Sequence, residues 1–197
     1  VNIEGIKSGY LGGTFDPIHL GHLIIAQDVL EKLNLDRVYF VPASQNPLKD
    51  EPPTCLNEDR LKMVDLALEE DSRFERLDCE LETGGKSYTI DTAEQLYTQN
   101  DEQPVLWIIG SDNIDDLPRW HRIDELAEIV EFICVARPGY SVEKLPEIPR
   151  LNLRFVEGHP IEISSSEIRN RVKMGNNIDL FLPPKVFNYI QTNNLYR

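Results

Sequence analysis

Apolar and polar positions along the chain alternate between two patterns. Ile6–Leu11 and Val38–Val41 read as short strands, while Val105–Ile109 and Phe132–Ala136 are continuous apolar runs of the kind found in central strands buried on both faces. Between the first two, Leu23, Ala26, Leu30 and Leu33 recur at helical spacing, with Val29 widening the stripe. Asn57 predicts the cap of a second helix whose Leu61, Met63, Val64 and Leu68 face inward, and Thr89 starts another helix. Later come a strand near Leu153–Val156 and helices from about Ser165 to Lys173 and from about Pro184 to Thr192. Strand and helix in repeated alternation predict an α/β fold with a mainly parallel sheet. The two central runs end at Gly110-Ser111-Asp112 and Arg137-Pro138-Gly139, where such sheets carry functional loops. With no internal repeat or low-complexity linker, 197 residues suit one domain. Pro42–Pro53 is the longest clear loop and a candidate lid.

Charge narrows the partners. Twenty Lys and Arg against 34 Asp and Glu give −14, which argues against a general nucleic-acid binder. A small anionic ligand is still compatible, because a few cations in one cleft reverse the sign locally. Cys55, Cys79 and Cys134 are odd in number and widely spaced, which suits a reducing compartment better than disulfides or zinc. No run approaches the ~20 apolar residues of a membrane span, and no basic and then apolar leader opens the chain. A cytoplasmic, membrane-free protein is expected, with residues expected before Val1 because the chain does not begin at Met.

Three segments resemble functional motifs without being them. Gly85-Lys86-Ser87 looks like the end of a P-loop, but the first glycine of that motif would fall at Glu80, in an acidic approach. The dinucleotide fingerprint is absent after the first strand. Ser164-Ser165-Ser166 invites a nucleophile, yet Ser164 with Glu167 reads as a capping box.

The informative segment is Gly12-Gly13-Thr14-Phe15-Asp16-Pro17-Ile18-His19-Leu20-Gly21-His22. It runs from the first strand into the first helix, so it lies where backbone N–H groups and the helix dipole favour anions. Gly12 and Gly13 are expected to let backbone approach a ligand closely. His19 and His22, three apart, can point to one side and donate hydrogen bonds to phosphate oxygens as charge builds in a displacement. A helix cap, a solvated pair or a metal pair are the competing readings. No further ligand stands nearby in sequence, and the flanking glycines favour the phosphate reading.

These residues carry a resemblance. Gly13-Thr14-Phe15-Asp16-Pro17 with His19-x-Gly21-His22, and later Ile163-Ser164-Ser165-Ser166-x-x-Arg169, resemble the nucleotidyltransferases of the HxGH superfamily. Ser87-Tyr88-Thr89-x-Asp91-Thr92, Gly110-Ser111-Asp112, Leu117-Pro118-x-Trp120-His121, Ala136-Arg137-Pro138-Gly139-Tyr140 and Leu195-Tyr196-Arg197 extend it to the bacterial nicotinate-nucleotide adenylyltransferases. The resemblance implies a Rossmann-like, doubly wound, mainly parallel sheet in a single nucleotidyltransferase domain over 1–197, with a small helical part from about 163.

It also implies adenylyl transfer from ATP to nicotinate mononucleotide, with Mg²⁺ present and no covalent intermediate. His19, His22 and Arg169 would be catalytic. Gly12, Gly13, Thr14, Phe15, Lys49 and Ser166 would bind ATP. Asp16, Thr89, Asp112, Trp120, His121 and Arg137 would bind the mononucleotide, Trp120 as a flat face for the ring and backbone near Thr89 and His121 for the carboxylate. Core packing for Trp120 and a surface charge for Arg137 are the bland alternatives. The loop before Lys49 lacks a proline and a histidine that many members carry, and His121 stands where relatives often have tyrosine. Other HxGH transferases, or a nucleotide-binding regulator without turnover, are the rival readings, and a homo-oligomer is compatible with all of them.

Overall fold

The computed structural model describes residues 6–45, 47–48, 52–78, 88–136 and 145–197. In chain order the elements are β1 (Ser8–Gly13), α1 (Leu20–Lys32), β2 (Arg37–Pro42), α2 (Asn57–Leu68), β3 (Phe74–Arg76), α3 (Thr89–Gln99), β4 (Val105–Gly110), α4 (Ile123–Ile129), β5 (Val130–Ala136), β6 (Asn152–Glu157), α5 (Ser165–Lys173) and α6 (Pro184–Thr192). The six strands form one parallel sheet in the order β3-β2-β1-β4-β5-β6.

The apolar runs are explained by the two faces of this sheet. Successive side chains on a strand point to opposite faces. On β2, Val38 and Phe40 join α1, α2, α5 and α6 on one face, while Tyr39 and Val41 join α3 and α4 on the other. On β4 and β5, Ile108, Ile133 and Val135 serve the first face, and Trp107, Ile109, Phe132 and Cys134 the second. Both sides must therefore be apolar. Ile168, Val186, Ile190 and Tyr196 of the C-terminal part share the first cluster with α1 and α2. Polar contacts reinforce the seam: the Tyr189 hydroxyl donates to Asp59 Oδ1 at 2.9 Å, and Lys185 pairs with Glu69 and Glu70 at 3.1 Å.

Several boundaries differ from the sequence reading. β1 lies two residues later, because Gly12 and Gly13 pair with Val41 and Pro42 and so continue the strand. Asn57 does not cap α2; Leu56 holds the cap position, and the Asn57 carboxamide accepts from Arg60 Nη2 at 2.7 Å instead. A charge-assisted bond one turn along outcompetes the cap. β3 gave no apolar signal, being three residues at the sheet edge with only Phe74 buried. α4 is seven residues long and runs straight into β5, so its apolar positions merge with those of the strand. Ser164 does cap α5, its Oγ accepting from Glu167 N–H at 3.2 Å.

The topology locates the crevice. From β1 the sheet grows outward through β2 and β3, and then the chain crosses to β4 on the other flank. The reversal point lies between β1 and β4, and in open parallel sheets ligands bind outside the strand ends at such a point. The segments that leave there are the one through Thr14 and the one through Ser111 and Asp112.

Candidate active site

The chain turns sharply out of β1, with Phe15 at φ 48° in the left-handed region. Phe15 itself is buried, lying 5.7 Å from Phe40 and edge-on to His22 at 5.0 Å between ring centroids. Its side chain belongs to the core, so any contact with ATP would come from its backbone. The glycines also answer a packing requirement. A Cβ on Gly12 would lie 2.8 Å from the Trp107 ring, one on Gly13 2.9 Å from Phe15, and one on Gly21 3.0 Å from His19. Their missing side chains make room for protein rings, including the His19 imidazole.

His19 occupies the N-cap position of α1 and His22 the third helical position. Their rings stack with centroids 3.7 Å apart and planes 21° from parallel. His22 Nδ1 accepts the His19 backbone N–H at 3.2 Å. An accepting ring nitrogen carries no hydrogen, so the neutral His22 ring holds its proton on Nε2, as a donor. Engagement of Nδ1 also removes that nitrogen from any metal pair. Among the described residues no group of three His, Cys, Asp or Glu could hold a metal ion.

α5 is brought against this loop from the far end of the chain. The Ser165 hydroxyl donates to Pro17 O at 2.9 Å, and Arg169 Nη1 donates to Asp16 O at 2.7 Å. Arg169 Nη2 donates to Ser166 Oγ at 3.3 Å, so Ser166 and Arg169 form one polar edge at the start of α5. Ser165, which no local pattern separates from its neighbours, is the serine that docks the helix.

Asp16 lies inside the protein. Its buried carboxylate accepts from Thr54 N at 2.7 Å, Cys55 N at 3.4 Å and the Tyr196 hydroxyl at 2.9 Å, and Arg169 Nη1 stands 3.9 Å away. Burial, aided by the Asp16 charge, pushes the Tyr196 phenol far above its usual value. Burial also raises the Cys55 thiol to about 11 despite a hydrogen bond to Tyr196. Asp16 thus ties the first loop to the segment before α2 and to the C-terminal part.

A second polar hub was missed by sequence reasoning. Arg60 of α2 is almost wholly buried, and its Nη1 donates to the carbonyls of Thr14 and, at 2.8 Å, Ala43. Its Nη2 donates to Ser44 O at 3.1 Å as well as to Asn57. A signal was present: Arg60 stands at helical spacing from Met63, Val64 and Leu68, on the inward face.

The other side of the crevice is built from α3, the turn after β4 and the segment before α4. Asp112 is exposed on that turn, and a Cβ on Gly110 would collide with its Oδ1. Trp120 is half-buried, its ring edge-on to Phe132 at 5.9 Å. His121 lies against Tyr88 at 4.4 Å, which brings the start of α3, with Thr89, beside the Trp120–His121 turn. Arg122, at φ 52°, binds both Glu94 of α3 (2.7 Å) and Glu125 of α4 (2.5 Å) and fixes that turn. Lys49 and Arg137 lie outside the described residues, as do the Gly85-Lys86-Ser87 segment and Cys79.

Comparison with known proteins agrees with this architecture. The Cytidylyltransferase-like family matches residues 10–171. A protein of Opitutus terrae, named as a probable nicotinate-nucleotide adenylyltransferase, is 45% identical over 192 residues, covering 98% of each chain. One of Shouchella clausii, with the same name, is 43% identical over 96% of each chain. Among solved structures, Plasmodium falciparum nicotinic acid mononucleotide adenylyltransferase complexed with NaAD superposes with a TM-score of 0.75 over 96% of each chain, at 24% identity, a likeness of fold. By sequence along nearly its whole length and by fold, the chain belongs to the cytidylyltransferase-like family and, within it, to the nicotinate-nucleotide adenylyltransferases.

Proposed function

We propose that the protein transfers the adenylyl group of ATP to nicotinate mononucleotide, giving deamido-NAD and pyrophosphate. The observation that carries the reading is the stacked His19–His22 pair at the start of α1, beside the sheet's reversal point, with Arg169 of α5 hooked to the same loop. A phosphate oxygen of the mononucleotide attacks the α-phosphorus of ATP in line. The bond from that phosphorus to the bridging oxygen breaks, and its electron pair leaves with pyrophosphate. Catalysis then rests on positioning and charge stabilisation.

In this reading Thr14, His19 and His22 hold the ATP phosphates, and the Nε2–H of His22 is the donor that meets charge as it develops. Gly12, Gly13 and Phe15 contribute backbone there. Ser166 and Arg169 meet the phosphates from α5, and Lys49 adds a cation. A divalent ion enters with ATP as part of the substrate, which the donor set supports: imidazoles and a guanidinium suit phosphate oxygens, and no described cage suits a cation. Mg²⁺ is the ion proposed.

Asp112, Trp120 and Arg137 serve the mononucleotide. Main-chain N–H groups at Thr89 and His121 receive the carboxylate of its ring, supported by the Tyr88–His121 contact that joins the two segments. Asp16, expected among the mononucleotide contacts, also ties together the loops beside this site. The cytoplasm is the proposed compartment, supported by Cys55 and Cys134 being free thiols. No described helix is long and apolar enough to cross a membrane.

The test is pyrophosphate release from ATP with each mononucleotide offered separately. A carboxylate only accepts hydrogen bonds, whereas an amide would oppose donor to donor. A buried donor left unpaired costs roughly 1–3 kcal/mol. The acid should therefore be favoured by roughly tenfold to a hundredfold or more in kcat/KM. Equal use of nicotinamide mononucleotide would remove the acid specificity, and release with neither would remove the activity.

A further inference from the structure

Arg60 is a cation buried on the core-facing side of α2, and burial holds its pKa below the usual value against the opposing pull of Asp16. Such a group is a poor stabiliser: an apolar residue of similar volume often does as well or better. One of its donors, Nε–H, finds no acceptor among the described residues, which makes the site still less favourable as simple packing.

What the guanidinium does achieve is geometric. It bonds to main-chain carbonyls of two loops that leave adjacent strands, Thr14 after β1 and Ala43 and Ser44 after β2. A planar fork can bind three carbonyls in a fixed arrangement, which a lysine ammonium on its flexible stem cannot reproduce. The same seam carries one direct link, Ala43 N–H to Gly13 O at 2.9 Å.

We propose that Arg60 is a positioning residue for the nucleotide, a buried clamp that sets the Thr14 loop and the Ala43–Ser44 loop at a fixed spacing and so shapes the phosphate side of the crevice. It touches no substrate. The proposal rests on the reading above in taking Thr14 as an ATP contact. None of the groups that Arg60 bonds belongs to α3 or to the Trp120–His121 turn, so the mononucleotide side is outside its reach.

Two variants separate this role from packing. Arg60→Met keeps the stem and removes every donor, and Arg60→Lys keeps the charge and removes the fork. Both are measured for melting temperature, for KM of ATP and of nicotinate mononucleotide separately, and for amide hydrogen exchange at Ala43. The clamp predicts about the wild-type melting temperature in at least one variant. In that variant KM for ATP should rise tenfold or more, KM for the mononucleotide should change less than about twofold, and exchange at Ala43 should quicken. Wild-type kinetics and exchange in a folded variant would overturn the proposal. So would equal loss for both substrates together with a lowered melting temperature in both variants. If the wild-type protein releases no pyrophosphate, the functional reading fails by itself, and the Ala43 exchange rate still decides whether Arg60 couples the loops.

Discussion

At the scale of single residues, the account turns on where each hydrogen bond points. His22 is held by its Nδ1 and presents Nε2–H, so its removal should cost catalysis and leave the fold. His22→Ala is expected to lower kcat by about 10²–10³, the usual loss for one donor aimed at developing charge, with an unchanged circular dichroism spectrum and melting curve. Near-normal turnover in the folded variant would remove the phosphate role. Arg169 has two attachments, the Asp16 carbonyl and Ser166 Oγ. Arg169→Ala should therefore raise KM for ATP and lower kcat more than it affects the mononucleotide, and unchanged ATP kinetics would reduce it to a docking contact. What the sequence made legible is that both lie by the loop after β1, His22 from its spacing to His19 and Arg169 from the motif Ile163-Ser164-Ser165-Ser166-x-x-Arg169. The jobs of their neighbours were not legible. A Cβ on Gly12, Gly13 or Gly21 would meet Trp107, Phe15 or His19, a packing requirement that no local pattern reveals. Asp16 is tied to Tyr196, a partner 180 positions away that no local pattern reveals.

At the scale of elements, two helix starts carry the anion-binding argument. α5 is capped by Ser164 and presents Ser166 and Arg169 from its first turns. Ser164→Ala should cost about 1 kcal/mol of stability, read from denaturant unfolding, because one N-terminal N–H loses its acceptor. α3 begins at Thr89 beside the Trp120–His121 turn, and the dipole at its N-terminus favours a carboxylate there. Because those contacts are main-chain, Thr89→Ala should narrow the acid-over-amide preference only partly, whereas Trp120→Ala should weaken both mononucleotides. Loss of all discrimination in Thr89→Ala would place it in the side chain instead. The long elements were readable because apolar spacing determines them, and α5 and α6 fall at the expected residues. β3 and α4 were not readable, since an edge strand and a one-sided short helix need little apolar surface. Arg60 shows the opposite case: helical spacing puts it on the inward face with Met63, Val64 and Leu68, and a rule that looks only for apolar residues passes over it.

At the scale of the whole molecule, the buried acids that keep their protons set the response to alkali. Cys55 is raised to about 11 and Cys134 to about 12 from a usual 9.0, both first by burial, and Tyr196 is raised well above 10.0. In the unfolded chain these groups lose protons at their usual values, while in the folded protein they keep them. The unfolded state then binds fewer protons, so stability falls as pH rises above about 9. Melting temperature should decline steadily from pH 9 to 11. Tyr196→Phe should be less stable at pH 7, having taken a donor from the buried Asp16, yet lose less on going to alkali. A variant with the same alkaline slope as wild type would show that the phenol is not held protonated by the fold.

If an adenylyl group moves directly from ATP to nicotinate mononucleotide, a label on the α-phosphorus moves with it. With ATP labelled there, the label should appear in deamido-NAD, with none retained on the protein, and a γ-label should appear in pyrophosphate. A γ-label found on the mononucleotide, or an α-label left on the protein or in unreacted ATP while the mononucleotide persists, would contradict it.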